Sequence, residues 1–326
     1  MEETKNNQVL TKEKNGQAKN NKRRVWIVLA FLSLVVLIGY IIYRGDYLET
    51  LELGEQYLSI FWQNILYQVV TFTANFLLLF ILIFWTNKRI QKGLIPFFED
   101  EKKPMPKMLN KSIAFIVAIV VSFFITNIIL KKLMLCMNAT AFELLDPVLN
   151  YDISYFIFVQ PFMQFILRYF MTIVVGLTIY ATLYYIIVFN FYFDGIDRET
   201  LKKSRLLKQL CNNIIIIAIL LASIIFIETL NVGLQRFLNL QDGVTSYALW
   251  GAGLSEVTVK LWGYRILSVI ILSCVIIAVH YFKKGNTKRV MLSLAVVPVY
   301  LMAMLIVLAG FELIYANPNE LDKQQK

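Results

Sequence analysis

The strongest constraint in this sequence is a set of seven long apolar runs, residues 25–43, 61–86, 112–130, 169–193, 210–227, 266–282 and 290–311, none of which contains Asp, Glu, Lys or Arg. A bilayer core about 30 Å thick takes roughly 20 apolar helical residues to cross, and each run meets or approaches that length. In hydrocarbon the backbone must satisfy its own hydrogen bonds, so such runs predict helices. The fold class expected is all-α: a polytopic membrane helix bundle of about seven spans with short interfacial helices in its outer loops. The sixth run is short, but it extends backward through Leu261, Trp262 and Tyr264, where aromatic rings favour the membrane interface. With 58% hydrophobic and 17% charged residues, the chain lacks the charge to cover a soluble domain of its 326 residues.

The charges that remain set an orientation. Counted between the runs, 23 Lys and Arg fall on the side of the amino-terminal tail and 8 on the opposite side, with Arg168 at the mouth of the fourth run. The positive-inside rule then places the amino terminus in the cytoplasm and, after seven crossings, the carboxyl end outside. The net charge of +10 is thereby explained by attraction to anionic headgroups, and nucleic acid is not an expected partner, because the basic residues form no continuous face. Residues 1–24 read as a disordered cytoplasmic tail, rich in Lys, Asn and Gln with little to bury. The run at 25–43 is longer than a signal-peptide core and ends in IGYIIYR without a small-residue cleavage site, so it reads as an uncleaved anchor. The expected division is therefore a tail (1–24), a seven-span domain (25–315) and an extracytoplasmic carboxyl end (316–326), a candidate start of a further outer domain.

Two outer loops are too apolar to lie free in water. Residues 133–161 include AFELLDPVLNYDISYFIFVQP, and residues 231–260 include VGLQRFLNL and WGAGLSEVTV. Short segments resting in the interface or folding back between the spans are expected there. Asp152-Ile153-Ser154 precedes the fourth run much as Glu256-Val257-Thr258 precedes the sixth, so runs three and four could repeat as five and six in the same orientation. Chance similarity between two apolar loops accounts for it equally well.

Four stretches carry a resemblance: GDYLETLELGEQYLSIFW after the first run, DPVLNYDISYFIFVQPF before the fourth, GAGLSEVTVKLWGYRIL before the sixth and NPNELDK after the seventh. In that order they resemble the membrane part of uncharacterised protein family (UPF) 0182, large bacterial membrane proteins. The resemblance implies a bacterial plasma membrane and a long extracytoplasmic region following the spans, with the PNEL motif at its entry. Here Pro318-Asn319-Glu320-Leu321 is followed by five residues, so either the chain is a truncated version or the outer part is encoded or cut separately. Leu254 stands where the family tends to have Tyr, Glu256 where it tends to have Asp, and Trp262 where Pro is common. The resemblance supplies an architecture and no reaction.

Chemistry-bearing residues are few. Cys136, Cys211 and Cys274 form no CxxC pair, and His280 is the only histidine, so no metal or cofactor site is expected. The sequence holds no GxSxG, Walker loop or HExxH motif. Charge-free spans argue against a proton-coupled pump. Arg168 is a candidate for an outer-interface pair with Asp152, with Asp146 and Glu228 as other partners, against the plainer reading of snorkelling to headgroups. Gly251, Gly253 and Glu256 are candidates for a tight outer turn. Asn75, Asn127, Asn212 and Asn213 are intramembrane polar groups that need partners, which helix–helix hydrogen bonds would supply. Pro298 removes one backbone hydrogen bond from the seventh run.

Three readings follow. The first is a membrane anchor or platform for extracytoplasmic protein, and the second a channel or transporter for a neutral or lipidic molecule. The third is a membrane enzyme using outer carboxylates with Arg265. Membrane lipids are an expected partner in all three; the oligomeric state is not legible.

Overall fold

The computed structural model describes residues 39–105, 110–193, 205–234, 236–242, 245–250 and 253–316, together with Ser33, Leu37 and Gly195. The tail, most of the run at 25–43, Gly251 and the PNEL motif lie outside the described residues. Six helices among the described residues are long and apolar enough to cross a membrane. They are α1 (Leu58–Asp100), α2 (Asn110–Met137), α3 (Gln160–Tyr192), α4 (Arg205–Glu228), α5 (Leu261–Lys283) and α6 (Thr287–Phe311). Large apolar side chains such as Phe123, Phe124, Ile187, Val269 and Ile306 point outward, as they do in proteins whose solvent is lipid.

The chain forms two compact units, residues 1–70 and 71–326. In the first, residues 39–53 are helical, and the chain then turns at Gly54, whose φ of 131° suits only glycine. The rings of Tyr43 and Tyr47 each lie 5.7 Å from that of Phe61.

In the second unit the helices meet through small residues. Helix α2 buries Ala114, Ala118, Ser122, Thr126 and Leu130, one residue in four, so a single narrow stripe faces its neighbours. The larger of the two buried apolar clusters among the described residues lies where α3 ends. Ile90, Leu94 and Phe98 of α1 meet Ala181, Tyr185, Val188 and Phe189 of α3 and Leu206 of α4. A side chain at Gly93 would collide with the Tyr185 hydroxyl, so α1 and α3 approach through a position that only glycine fills. The sequence suggested a polar loop from residue 87 onward. Instead α1 continues to Asp100, because Ile90, Leu94 and Phe98 recur at helical spacing behind the charges of Lys88 and Lys92, which stay exposed.

The loops at the other end differ from each other. Residues 138–153 form an irregular turn in which Asp146 accepts the backbone N–H groups of Val148 (3.1 Å) and Leu149 (2.7 Å), rather than a short interfacial helix. The longer loop makes a 3-10 turn (Thr229–Leu234) and then an antiparallel hairpin of β1 (Arg236–Asp242) and β2 (Thr245–Trp250), again where short helices were expected. The reason is readable afterwards: Asp242-Gly243 between two alternating runs is a hairpin signal.

Helices α3 and α5 begin alike. In each, an N-cap carbonyl, that of Asp152 or Gly253, accepts an N–H three residues on, from Tyr155 (3.0 Å) or Glu256 (3.1 Å). A buried serine follows the cap by two residues, Ser154 in one and Ser255 in the other. A five-residue π turn then leads into the helix, Tyr155–Val159 for α3 and Glu256–Lys260 for α5. The two starts thus align Asp152 with Gly253, three residues away from the register that pairs Asp152 with Glu256.

Candidate functional site

The polar side chains converge where α3 and α5 begin and α4 ends. Gln160, in the first turn of α3, is fully buried; its Nε2 donates to Asn231 Oδ1 (2.7 Å) and to the Ile227 carbonyl (3.2 Å) at the end of α4. One turn on, Gln164 donates to Glu228 Oε2 at 3.2 Å, and another turn on Arg168 pairs with the same oxygen at 3.3 Å. Asn231 donates to the other Glu228 oxygen at 3.4 Å. The spacing 160, 164, 168 is that of one helix face, so α3 presents a ladder of three donors to the end of α4 and the turn after it, two of them, Gln164 and Arg168, to the single Glu228 carboxylate. The Gln160 Oε1 is buried without a protein partner among the described residues.

Helix α5 adds the second wall. Glu256, itself buried, accepts the Gly253 N–H at 3.4 Å and the Lys260 ammonium at 3.0 Å. This is half of a capping box: a carboxylate at the third helical position satisfies the N-cap N–H. Arg265 reaches the Thr229 hydroxyl at 3.5 Å and lies 5.5 Å and 5.3 Å from the ring centres of Phe226 and Trp262. Between α4 and α5 is a cavity of about 350 Å³ whose walls include Glu228, Thr229, Lys260 and Tyr264.

A second polar group lies inside the bundle. The Tyr169 hydroxyl donates to Asn75 Oδ1 at 2.7 Å, and Asn75 Nδ2 donates to the Ser122 hydroxyl at 3.2 Å, tying α1, α2 and α3 together. Beside it an apolar cavity of about 340 Å³ is lined by Leu79, Val117, Tyr169 and Gly176 among others.

The model of Uncharacterised protein family (UPF0182) matches residues 24–326. The chain belongs to that family. A UPF0182 protein of Caldicellulosiruptor saccharolyticus is 22% identical over 298 residues, covering 90% of this chain and 31% of its own length. A UPF0182 protein of Alkaliphilus metalliredigens is 23% identical and covers 93% and 34%, and one of Clostridium tetani is 26% identical and covers 74% and 27%. The chain spans about a third of the length of these curated relatives. No solved structure matches it.

Within this UPF0182 chain the predicted residues fall out as follows. Arg168 pairs with Glu228 and not with Asp152, whose Oδ1 accepts the backbone N–H groups of Ser154 (2.8 Å) and Phe142 (3.1 Å). Asp152 is a helix cap, and hydrogen bonds from the Ser154 side chain first, then from backbone N–H groups, hold its carboxyl below the usual range. Gly253 and Glu256 form a turn; Gly251 lies outside the described residues. Asn75 is buried in its network, and Asn213 donates to the Thr178 hydroxyl at 2.9 Å. Asn127 and Asn212 are exposed on the helix surface instead of meeting a neighbouring helix. Gln160, Gln164 and Asn231 were missed. Their uncharged side chains raise no alarm in a sequence, although their spacing from Arg168 places Gln160 and Gln164 on its helical face.

Proposed function

We propose that this chain is the membrane platform of a larger assembly in the bacterial plasma membrane, with the ends of α3, α4 and α5 that carry the amide ladder facing outside. The observation that carries the reading is that the ends of α3 and α4 are locked to one another through Gln160, Gln164, Arg168, Glu228 and Asn231, with the start of α5 joined to them by Arg265 at Thr229. A fixed set of helix ends is what a display surface needs. Two further points support it: the positive-inside count favours this end as the outer one, and about two thirds of the relatives' own length lies outside the match. Native membranes solubilised in mild detergent and probed with an antibody to residues 1–20 test it. A species far heavier than 37.8 kDa, or a co-purifying extracytoplasmic polypeptide, is expected. A lone species at the chain's own mass overturns the platform.

The apolar cavity beside Asn75 and Tyr169 favours a second reading, passage or holding of a lipidic molecule between α1, α2 and α3. In reconstituted vesicles, movement of a fluorescent lipid that Asn75→Leu abolishes would put this reading first.

A further inference from the structure

The matching starts of α3 and α5 show which charges the local fold requires. Aligned at their caps, Tyr155 corresponds to Glu256, Val159 to Lys260, Gln160 to Leu261 and Gln164 to Arg265. The first copy builds its π turn with no charge beyond the cap itself. In the second copy Glu256 takes over the capping task, because Gly253 has no side chain to do it, and Lys260 answers Glu256. Arg265 has no such explanation. Its counterpart Gln164 is a neutral donor already engaged by Glu228.

Of the three cations carried on the starts of α3 and α5, Arg168, Lys260 and Arg265, only Arg265 lacks a carboxylate partner among the described residues. Arg168 neutralises Glu228 and Lys260 neutralises Glu256, whereas no carboxylate among the described residues lies within 4.0 Å of the Arg265 guanidinium. Glu228 is also spent, accepting from Gln164, Arg168 and Asn231. A partly buried guanidinium in the second turn of a membrane helix, backed by Phe226 and Trp262 and steadied by Thr229, calls for an anion. The adjoining cavity has room for one, with Lys260 on its wall retaining hydrogens beyond the one given to Glu256. Its other side is apolar, formed by Ile225, Val232 and Leu261, and Trp262 and Tyr264 stand exposed at the depth where aromatic belts form.

We propose that the cavity between α4 and α5 holds the phosphate of a phospholipid, with Lys260 of its wall and Arg265, which touches the wall residue Thr229, as its contacts, Glu228 on the same wall being already neutralised by Arg168, and the acyl chains leaving over Ile225, Val232 and Leu261. The full chain in dodecyl maltoside, which carries no phosphate, should bind short-chain phosphatidylglycerol saturably. Arg265→Gln should weaken that binding about tenfold, the value of one charge-assisted contact. Arg265→Lys should recover part of it, and Lys288→Gln, which removes an exposed charge at the other end of α5 and α6, should change nothing. A thermal melt on each variant separates lost binding from lost folding. Binding that ignores Arg265→Gln in a protein that still melts cooperatively overturns the site. Inorganic phosphate binding as tightly as the lipid, with the same dependence on Arg265, overturns the lipid and leaves a site for free phosphate.

Discussion

Helix α3 shows two kinds of adhesion along one rod. At its end Tyr185 and Phe189 press into apolar neighbours, and at its beginning Gln160, Gln164 and Arg168 reach for oxygens on α4. Dispersion contacts at the aromatic end have no alternative partners outside the protein that fit as closely. The hydrogen bonds at the amide end compete with water and headgroups, so they fix geometry while adding modest stability. The contrast places most of the stability at one end and a fixed arrangement of polar groups at the other.

The sharpest way to break this contrast is Tyr185→Ala, which empties a fully buried ring site and should cost roughly 3–5 kcal/mol in a detergent melt. A loss no larger than that at an exposed position would remove the aromatic end from its structural role. Gly93→Ala should cost roughly 1–3 kcal/mol by overpacking. Pairing it with Tyr185→Phe removes the hydroxyl it strikes, and recovery of part of the loss in the double variant checks the close approach directly.

How much of this was legible depends on the kind of interaction. The spans were, because charge-free runs of that length have few other fates. The aromatic end was hidden by its own charges: Lys88, Arg89 and Lys92 made the continuation of α1 look like a loop, although Ile90, Leu94 and Phe98 keep helical spacing beneath them. At the amide end the sequence offered three carboxylates for Arg168 and no means of choosing. The choice turned on Asp152 being used by its own loop and Glu228 being carried to the facing helix end.

At the amide end, Gln160→Leu should cost roughly 1–3 kcal/mol by leaving the Ile227 carbonyl and Asn231 without their donor. The same variant tests whether the ladder sets the helix ends, read as accelerated hydrogen exchange across residues 225–232. Smallest of all is a pH effect at Asp152. Its carboxyl titrates below the usual range in the folded protein, so its contribution is complete above the unfolded value and lost as pH falls toward the depressed one. The ratio of amide exchange at Phe142 and Ser154 between wild type and Asp152→Asn, at matched pH, should therefore shrink on acidification. A ratio independent of pH would mean the carboxylate does not hold that turn.

The common start of α3 and α5 bears on how such a bundle can have arisen. From one start to the next the chain passes through two long helices, α3 and α4, so the recurring unit is an even one. Copying an even unit within a gene leaves every later segment facing the way it did before, with no basic loop carried to the wrong side. An odd unit would invert everything downstream. Duplication of this pair is thus neutral to insertion, and afterwards each copy is free to diverge, one toward amides and the other toward charge.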